Sequence, residues 1–476
     1  MMAVIGAFMV PHPPLIIHEV GHGEEDRIAA TVAAYKNVAQ RIAALKPETI
    51  IVTSPHAVMY SDYFHISPGA EASGNFGQFG ARQVQFHAVY DEELVKAICG
   101  EAQTAGLPAG TDGEKNPALD HATMVPLYFI NQFIKNDYKL VRVGLSGLSY
   151  RKHYMLGECI ARAVGKTGRR VVFVASGDLS HVLKQDGPYG FRQEGPVYDE
   201  RIMDVMGSAD FGRLLSFDPD FCENAAECGH RSFIIMAGAL DCTAVKSECL
   251  SHEGPFGVGY GICAYTPEGP DVNRNFLEQY ELMEKDEMSE RKHTEDEYVG
   301  LARATVEIYV RTRKVPKVAG GCVICDDDSF HGWHLSPDLL NSRAGTFVSL
   351  KENGTLRGCI GTISATRDTL AEEIIHNAIS ASTQDPRFPE VESKELDSLV
   401  YSVDVLGPAE KISSPDQLDV KKYGVIVTKG YRRGLLLPNL ETVNTVEEQL
   451  DIACRKGGIE RSENPELERF EVVRHY

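Results

Sequence analysis

The sequence predicts two unlike domains: an α/β domain, a central sheet with flanking helices, over residues 1–267, and a smaller α+β domain over residues 295–476. Three observations predict this. In the first half, short continuous apolar runs alternate with helical patterns, as strands buried on both faces of an α/β sheet do. In the last part, β-rich segments pair across glycine-containing turns, with helical segments between and after them. Between the two, residues 268–294 read as an acidic linker. Residues 277–297 hold nine acidic and three basic side chains, the composition of a solvated linker or exposed helix.

Taken in order, Val4–Val10 is a strand that runs into Pro11-His12-Pro13-Pro14. Ile28, Val32, Tyr35, Ala39 and Ile42 then recur at helical spacing, and Pro47 ends that helix. Residues 49–53, 140–145 and 171–175 are further strands, with a helix over 153–164, and residues 232–240 form a buried helix. Val299, Ala302, Val306 and Tyr309 restart a helical pattern. Segments 347–350 and 355–360 pair across Asn353-Gly354, and 424–427 with 433–437 make a second hairpin. Helices are expected over 368–382 and 446–455. There is no internal repeat.

Charge and composition exclude several classes of function. With 48 Lys+Arg against 68 Asp+Glu, the net charge is −20. That argues against binding nucleic acid, whose phosphates must be neutralised by basic side chains. The apolar start lacks a basic region and is broken by prolines, so it does not read as a signal peptide. No run of about 18 apolar residues predicts a membrane span. The eleven cysteines, without a secretory signal, are expected to be reduced thiols in a cytoplasmic protein.

The chemical signal lies at strand ends. His12 follows the first strand, His56 follows Ser54-Pro55, and His181 closes Ser176-Gly-Asp-Leu-Ser-His181. Open α/β sheets bind ligands outside the carboxyl ends of their strands, so these three histidines can converge. Prolines stiffen the backbone beside His12 and His56, and neutral imidazole is a common ligand of divalent metals. His121, after Asp120, opens an apolar run and can present its ring to a cleft. Glu227 and Cys228 approach the N-terminus of the 232–240 helix, where an anion is stabilised. Either is a credible third metal ligand.

Pro-His-Pro-Pro, Ser-Pro-His, Asp-His-x-x-x-Val-Pro-Leu and Ser-Gly-Asp-Leu-Ser-His, in this order, resemble the class III (LigB-type) extradiol ring-cleavage dioxygenases and the related Memo proteins. The resemblance implies a non-haem Fe(II) enzyme acting on a catechol-like or other small aromatic substrate, with Zn or another divalent metal as the alternative. It implies His12, His56 and Glu227 as metal ligands, with His181 and His121 as acid–base histidines. Cys228-Gly-His-Arg-Ser is closer to the Memo pattern, in which cysteine replaces the glutamate, and the register between Glu227 and Cys228 stays open.

Leu356-Arg-Gly-Cys-Ile-Gly-Thr362, Asp385-Pro-Arg-Phe-Pro389 and Gly424-Val-Ile-Val-Thr-Lys-Gly430 resemble the AMMECR family. Within this domain, Cys359 is expected to be a structural thiol. Cys322-Val-Ile-Cys325 is expected to be a strand rather than zinc or redox chemistry, and Arg357, Arg432 and Arg433 to be solvated. The pairing of the two domains resembles AmmeMemoRadiSam-type systems, which implies a separate radical-SAM protein as partner, since no C-x3-C-x2-C motif occurs here. An oxygen-independent metal-dependent hydrolase and a non-catalytic metal-binding scaffold remain alternatives. A homo-oligomer is compatible with the sequence.

Overall fold

The structure, a computed structural model, describes residues 4–324, 333–352, 354–440 and 443–476. Cys325 of the Cys-x-x-Cys pair and Asn353 of the expected hairpin turn lie outside them. Two compact units, Met1–Glu284 and Lys285–Tyr476, make up the chain.

The first unit is an α/β domain. Its strands are β1 (Val4–Val10), β2 (Thr49–Ser54), β3 (Glu71–Phe76), β4 (Ala81–Val89), β5 (Lys139–Gly144), β6 (Val171–Ser176), β7 (Thr243–Glu253) and β8 (Tyr260–Pro270). The six-stranded sheet has the order β5-β2-β6-β1-β8-β7. From β5 to β1 the pairing is parallel; β8 runs antiparallel to β1, and β7 antiparallel to β8. Strands β1, β2 and β6 are apolar because both faces are covered. Phe8, Ile50 and Val172 pack into one core, and Ala7, Ile51 and Phe173 into the other.

The helices supply those covers. Helix α1 (Ala29–Leu45) and helix α2 (His121–Ile130) pack on the first face. On the second face lie α3 (Tyr150–Thr167), α4 (Glu194–Ser208) and α5 (His230–Ala239). In α1, Thr31, Ala34, Tyr35, Val38, Ala39 and Ile42 are buried, the stripe that a 3.6-residue period places on one face. Tyr35 also donates its hydroxyl to the Pro11 carbonyl at 2.5 Å, pinning the loop that follows β1. Strands β3 and β4 form a separate two-stranded hairpin.

Helix α6 (Phe276–Thr294) occupies most of the acidic segment; Phe276 and Leu277 are buried and most of the remainder is exposed. The second unit is α+β. Strands β9 (Thr346–Glu352), β10 (Thr355–Gly361), β11 (Leu399–Leu406) and β16 (Val472–His475) form one antiparallel sheet, ordered β10-β9-β11-β16. Strands β12 (Glu410–Ile412), β13 (Gly424–Lys429), β14 (Arg432–Leu436) and β15 (Glu466–Phe470) form another, ordered β12-β15-β13-β14. Helices α7 (Glu297–Thr312) and α8 (Leu370–Thr383) pack on the first sheet. Helix α9 (Val446–Gly457), started by a Thr445/Glu448 capping box, covers the second.

Candidate metal centre

Strands β2, β6 and β1 are neighbours in the sheet, so the residues just past their carboxyl ends meet. His12 follows β1, His56 follows β2, and Asp178 and His181 follow β6. His12 is 1% exposed. Its backbone N–H donates to Asp178 Oδ1 at 2.7 Å, and its Nδ1 lies 3.0 Å from Ser176 Oγ. Ser176 Oγ donates its proton to the Ala122 carbonyl at 2.7 Å. It therefore accepts from His12 Nδ1–H, which leaves the lone pair on His12 Nε2.

That Nε2 faces His56 Nε2 at 3.2 Å and Cys228 Sγ at 3.6 Å. Two imidazole nitrogens and a cysteine sulfur drawn this close together form a donor set of the kind that holds a divalent metal. Bonds of about 2.0–2.1 Å to nitrogen and about 2.3 Å to sulfur, at tetrahedral angles, set donor atoms about 3.4 Å (N–N) and about 3.6 Å (N–S) apart. The separations of 3.2 and 3.6 Å match, so the donor set fits a divalent metal. A second group of His181, Asp178 and Cys228 shares the thiol; its donor atoms lie within 4.8 Å of one another.

A close backbone approach brings Cys228 here. A Cβ on Gly177, just past β6, would lie 2.2 Å from the Cα of Gly229, so only glycine permits this contact. Ala226 adopts a left-handed φ of 52°, which turns its carbonyl to accept from His181 Nδ1 at 2.5 Å. The same turn separates the next two side chains. Glu227 Oε2 accepts from the backbone N–H of His230 at 2.6 Å, in the first turn of α5, while Cys228 Sγ accepts from Asp178 N at 3.3 Å. The sequence nominated Glu227 as the carboxylate ligand; among the described residues, neither cluster of candidate ligands contains it.

The electrostatics follow from burial. Desolvation, and then the neighbouring His56, His121 and His181, hold His12 well below the usual imidazole range. Burial and then His56 lower His121 to about 4, and burial also lowers His56 and His181. Asp178 and Glu227 are each pushed up to about 7 by burial, and Cys228 is raised as well. These shifts favour neutral groups in a site lacking a positive charge.

His121 is the first residue of α2, capped by Asp120, whose Oδ1 accepts from Thr123 N at 3.0 Å. Its ring centroid lies 4.1 Å from that of His56 and 5.5 Å from that of His12. His56 and His121 open onto a cavity of about 850 Å³, walled by β3, β4 and the loop before α2. The structure thus brings His12, His56, His121 and His181 to one place. Asp178 and Ser176 went unnominated, although both stand in the Ser-Gly-Asp-Leu-Ser-His motif. In the second unit, Cys359 is a partly buried thiol that accepts from Ser349 Oγ at 3.2 Å. Arg357 is paired with Glu395 at 2.7 Å, and Arg433 with Glu468 at 3.2 Å.

Comparison with known families matches residues 6–263 to the catalytic LigB subunit of aromatic ring-opening dioxygenase, and residues 299–475 to AMMECR1. This chain belongs to the LigB family, fused to an AMMECR1 domain. Protein CA_C1420 of Clostridium acetobutylicum is 41% identical to it, covering 100% of this chain and 99% of its own length. A Thermotoga maritima protein is 50% identical over 38% of this chain and 98% of its own length. Among solved structures, the uncharacterized protein PH0010 of Pyrococcus horikoshii is 33% identical, covering 37% of this chain and 88% of its own, with a TM-score of 0.31. Among the described residues, no helix is long and apolar enough to cross a membrane.

Proposed function

We propose that this protein is a metal-dependent enzyme acting on a catechol-like or other small aromatic substrate, in the manner of extradiol ring-opening dioxygenases. The observation that carries this reading is the convergence of His56 Nε2 and Cys228 Sγ on His12 Nε2 at 3.2 and 3.6 Å, all three within 4.8 Å of one another, beside a cavity large enough for a ring. His12, His56 and Cys228 would hold the ion, with Asp178 and Glu227 as the nearby carboxylates. Fe(II) is the first candidate, and Zn or another divalent ion the second. When bound, the metal supplies Lewis-acid charge for a catecholate and, as Fe(II), the redox capacity of ring opening.

The chain's own residues manage protons. His181 Nδ1–H is committed to the Ala226 carbonyl, so its Nε2 is the free basic nitrogen that takes a substrate proton and returns it. His121, tilted against the His56 ring with centroids 4.1 Å apart, orients the ring and offers a second proton site.

Cys228 favours a second reading. A thiol among the ligands is exposed to oxidation when O2 is a substrate, so oxygen-independent metal chemistry, such as hydrolysis downstream of a separate radical-SAM protein, also suits this site. The test is anaerobic purification, metal analysis and O2 uptake on a catechol panel. His12→Ala and His56→Ala should each strip the metal. Cys228→Ser should weaken it at least about tenfold, roughly 1.4 kcal/mol, and Glu227→Gln should leave it bound. Unchanged metal content in both histidine variants overturns the proposal. Turnover without O2 selects the second reading.

A further inference from the structure

Two cysteines stand opposite each other at the edge of the mixed sheet, and the metal centre uses neither. Strands β7 and β8 pair antiparallel, with Cys249 in register with Cys263. Residues directly opposite on such a pair point to the same face, with Cα atoms about 4.5 or 5.5 Å apart according to the hydrogen-bonding pattern. A disulfide takes Cα separations of about 4.4–6.8 Å, so the two strands already hold these residues at bridging distance. Both are free thiols in this structure.

The pair is unequal in access. Cys263 is fully buried and packs with Tyr265 in the core on the second face of the sheet. Cys249 lies on the edge strand and is exposed. Gly207, near the end of α4, presents no side chain to it; a Cβ there would sit 3.8 Å from Cys249 Cβ. The two thiols are hydrogen-bonded to each other. That bond lowers Cys249 to about 6; burial opposes the shift, and the nearby His252 adds to it. His252 is itself raised by Asp199, whose Oδ2 lies 3.1 Å from its Nε2. The same thiol bond, with burial, raises Cys263, which makes Cys263 the donor and Cys249 the acceptor. Burial also raises Cys99, Cys159 and Cys222, and it raises the exposed Cys242 to about 11. An accessible thiolate beside a buried thiol is the arrangement of an attacking and a resolving cysteine.

We propose that Cys249 and Cys263 form a thiol–disulfide exchange site, at which a small-molecule disulfide closes a reversible cross-strand bridge between β7 and β8. The Cys249 thiolate attacks one sulfur of the small disulfide, whose S–S bond breaks and releases a thiolate. Cys263 then gives up its proton and attacks Cys249 Sγ, breaking the mixed disulfide and releasing the second thiolate. The two cysteines lose two electrons, and the small disulfide is reduced to two thiols, with one proton from Cys263 and one from water. The site is independent of the metal centre and of the substrate reading above.

The experiment treats the reduced, metal-loaded full chain with oxidised glutathione under argon, alkylates the remaining thiols, and maps the peptides by mass spectrometry. The wild-type chain should give a peptide joining Cys249 to Cys263, reversed by dithiothreitol, with no lasting glutathione adduct on Cys249. Cys263→Ala should instead retain glutathione on Cys249, and Cys249→Ala should abolish the link. A stable glutathione adduct on wild-type Cys249 with Cys263 still free to alkylate overturns the proposal, as does oxidation confined to other cysteines. Labelling of the native wild-type chain with iodoacetamide near pH 7 needs no variant to fold. Cys249 should react at least about tenfold faster than the equally exposed class of thiol at Cys242, and equal or slower labelling overturns the assignment of Cys249 as the attacking group.

Discussion

Because Ser176 Oγ spends its proton on the Ala122 carbonyl, it can only accept from His12, and that one hydroxyl sets which imidazole nitrogen points at Cys228. Individual groups away from the centre are shifted just as strongly. Glu158 on α3 is pushed up to about 7, first by burial and then by the Asp241 carboxylate. Asp241 is fixed by Tyr154 Oη at 2.5 Å and by Phe276 N at 3.1 Å, so it cannot swing away. A carboxyl whose folded pKa exceeds its unfolded value of about 4.3 contributes stability below that value, and loses it as pH rises through about 7. The Glu158 side chain is 25% exposed. Solvent screens the interaction there, so we expect the loss over that range to reach only about 1–2 kcal/mol. Urea unfolding of Glu158→Gln against wild type from about pH 4.5 to about pH 7.5 tests this. The variant should gain relative stability as pH rises, and parallel curves would refute it.

At the scale of elements, the loop before α2 is held by a single buried cation. Arg142 on β5 is 2% exposed; its Nε donates to Ser67 Oγ at 2.6 Å, its Nη1 to the Ala118 carbonyl at 2.6 Å, and Glu114 and Asp120 lie at 3.5 and 3.6 Å. Arg142→Ala would strand two carboxylates and a carbonyl, so we expect a loss of about 3–5 kcal/mol in urea melts, with faster hydrogen exchange over residues 114–120. A loss under about 1 kcal/mol would contradict that role. The strands that place the histidines were legible because β1, β2 and β6 are buried on both faces and read as unbroken apolar runs. The β3–β4 hairpin was not legible: its outer face is Ser73, Asn75, Gln85 and His87, and its apolar face is too short to stand out. His12, His56 and His181 were found from strand ends, and His121 from the apolar run that it opens after Asp120. The choice between Glu227 and Cys228 was beyond reach, since it depends on the left-handed turn at Ala226 and the approach of Gly177 to Gly229, neither of which leaves a periodic trace.

For the whole molecule, each unit carries its own buried cores: among the described residues, two clusters centred on the mixed sheet in the first, and three around the antiparallel sheets in the second. We expect each unit to unfold as its own cooperative transition. A ligand that binds only the native state of one unit stabilises that unit alone, by about 2.7 kcal/mol at a hundred times its dissociation constant. For a domain of the first unit's size, that moves the midpoint by roughly 4–5 °C. Scanning calorimetry of the metal-loaded chain should therefore show two transitions. Chelation should lower one of them by this amount and leave the other in place, and His12→Ala should reproduce the lowered transition without chelator. A chelator shift shared by both transitions would mean that the units unfold together. A shift confined to the transition that His12→Ala does not touch would place the metal in the second unit, and with it the chemistry.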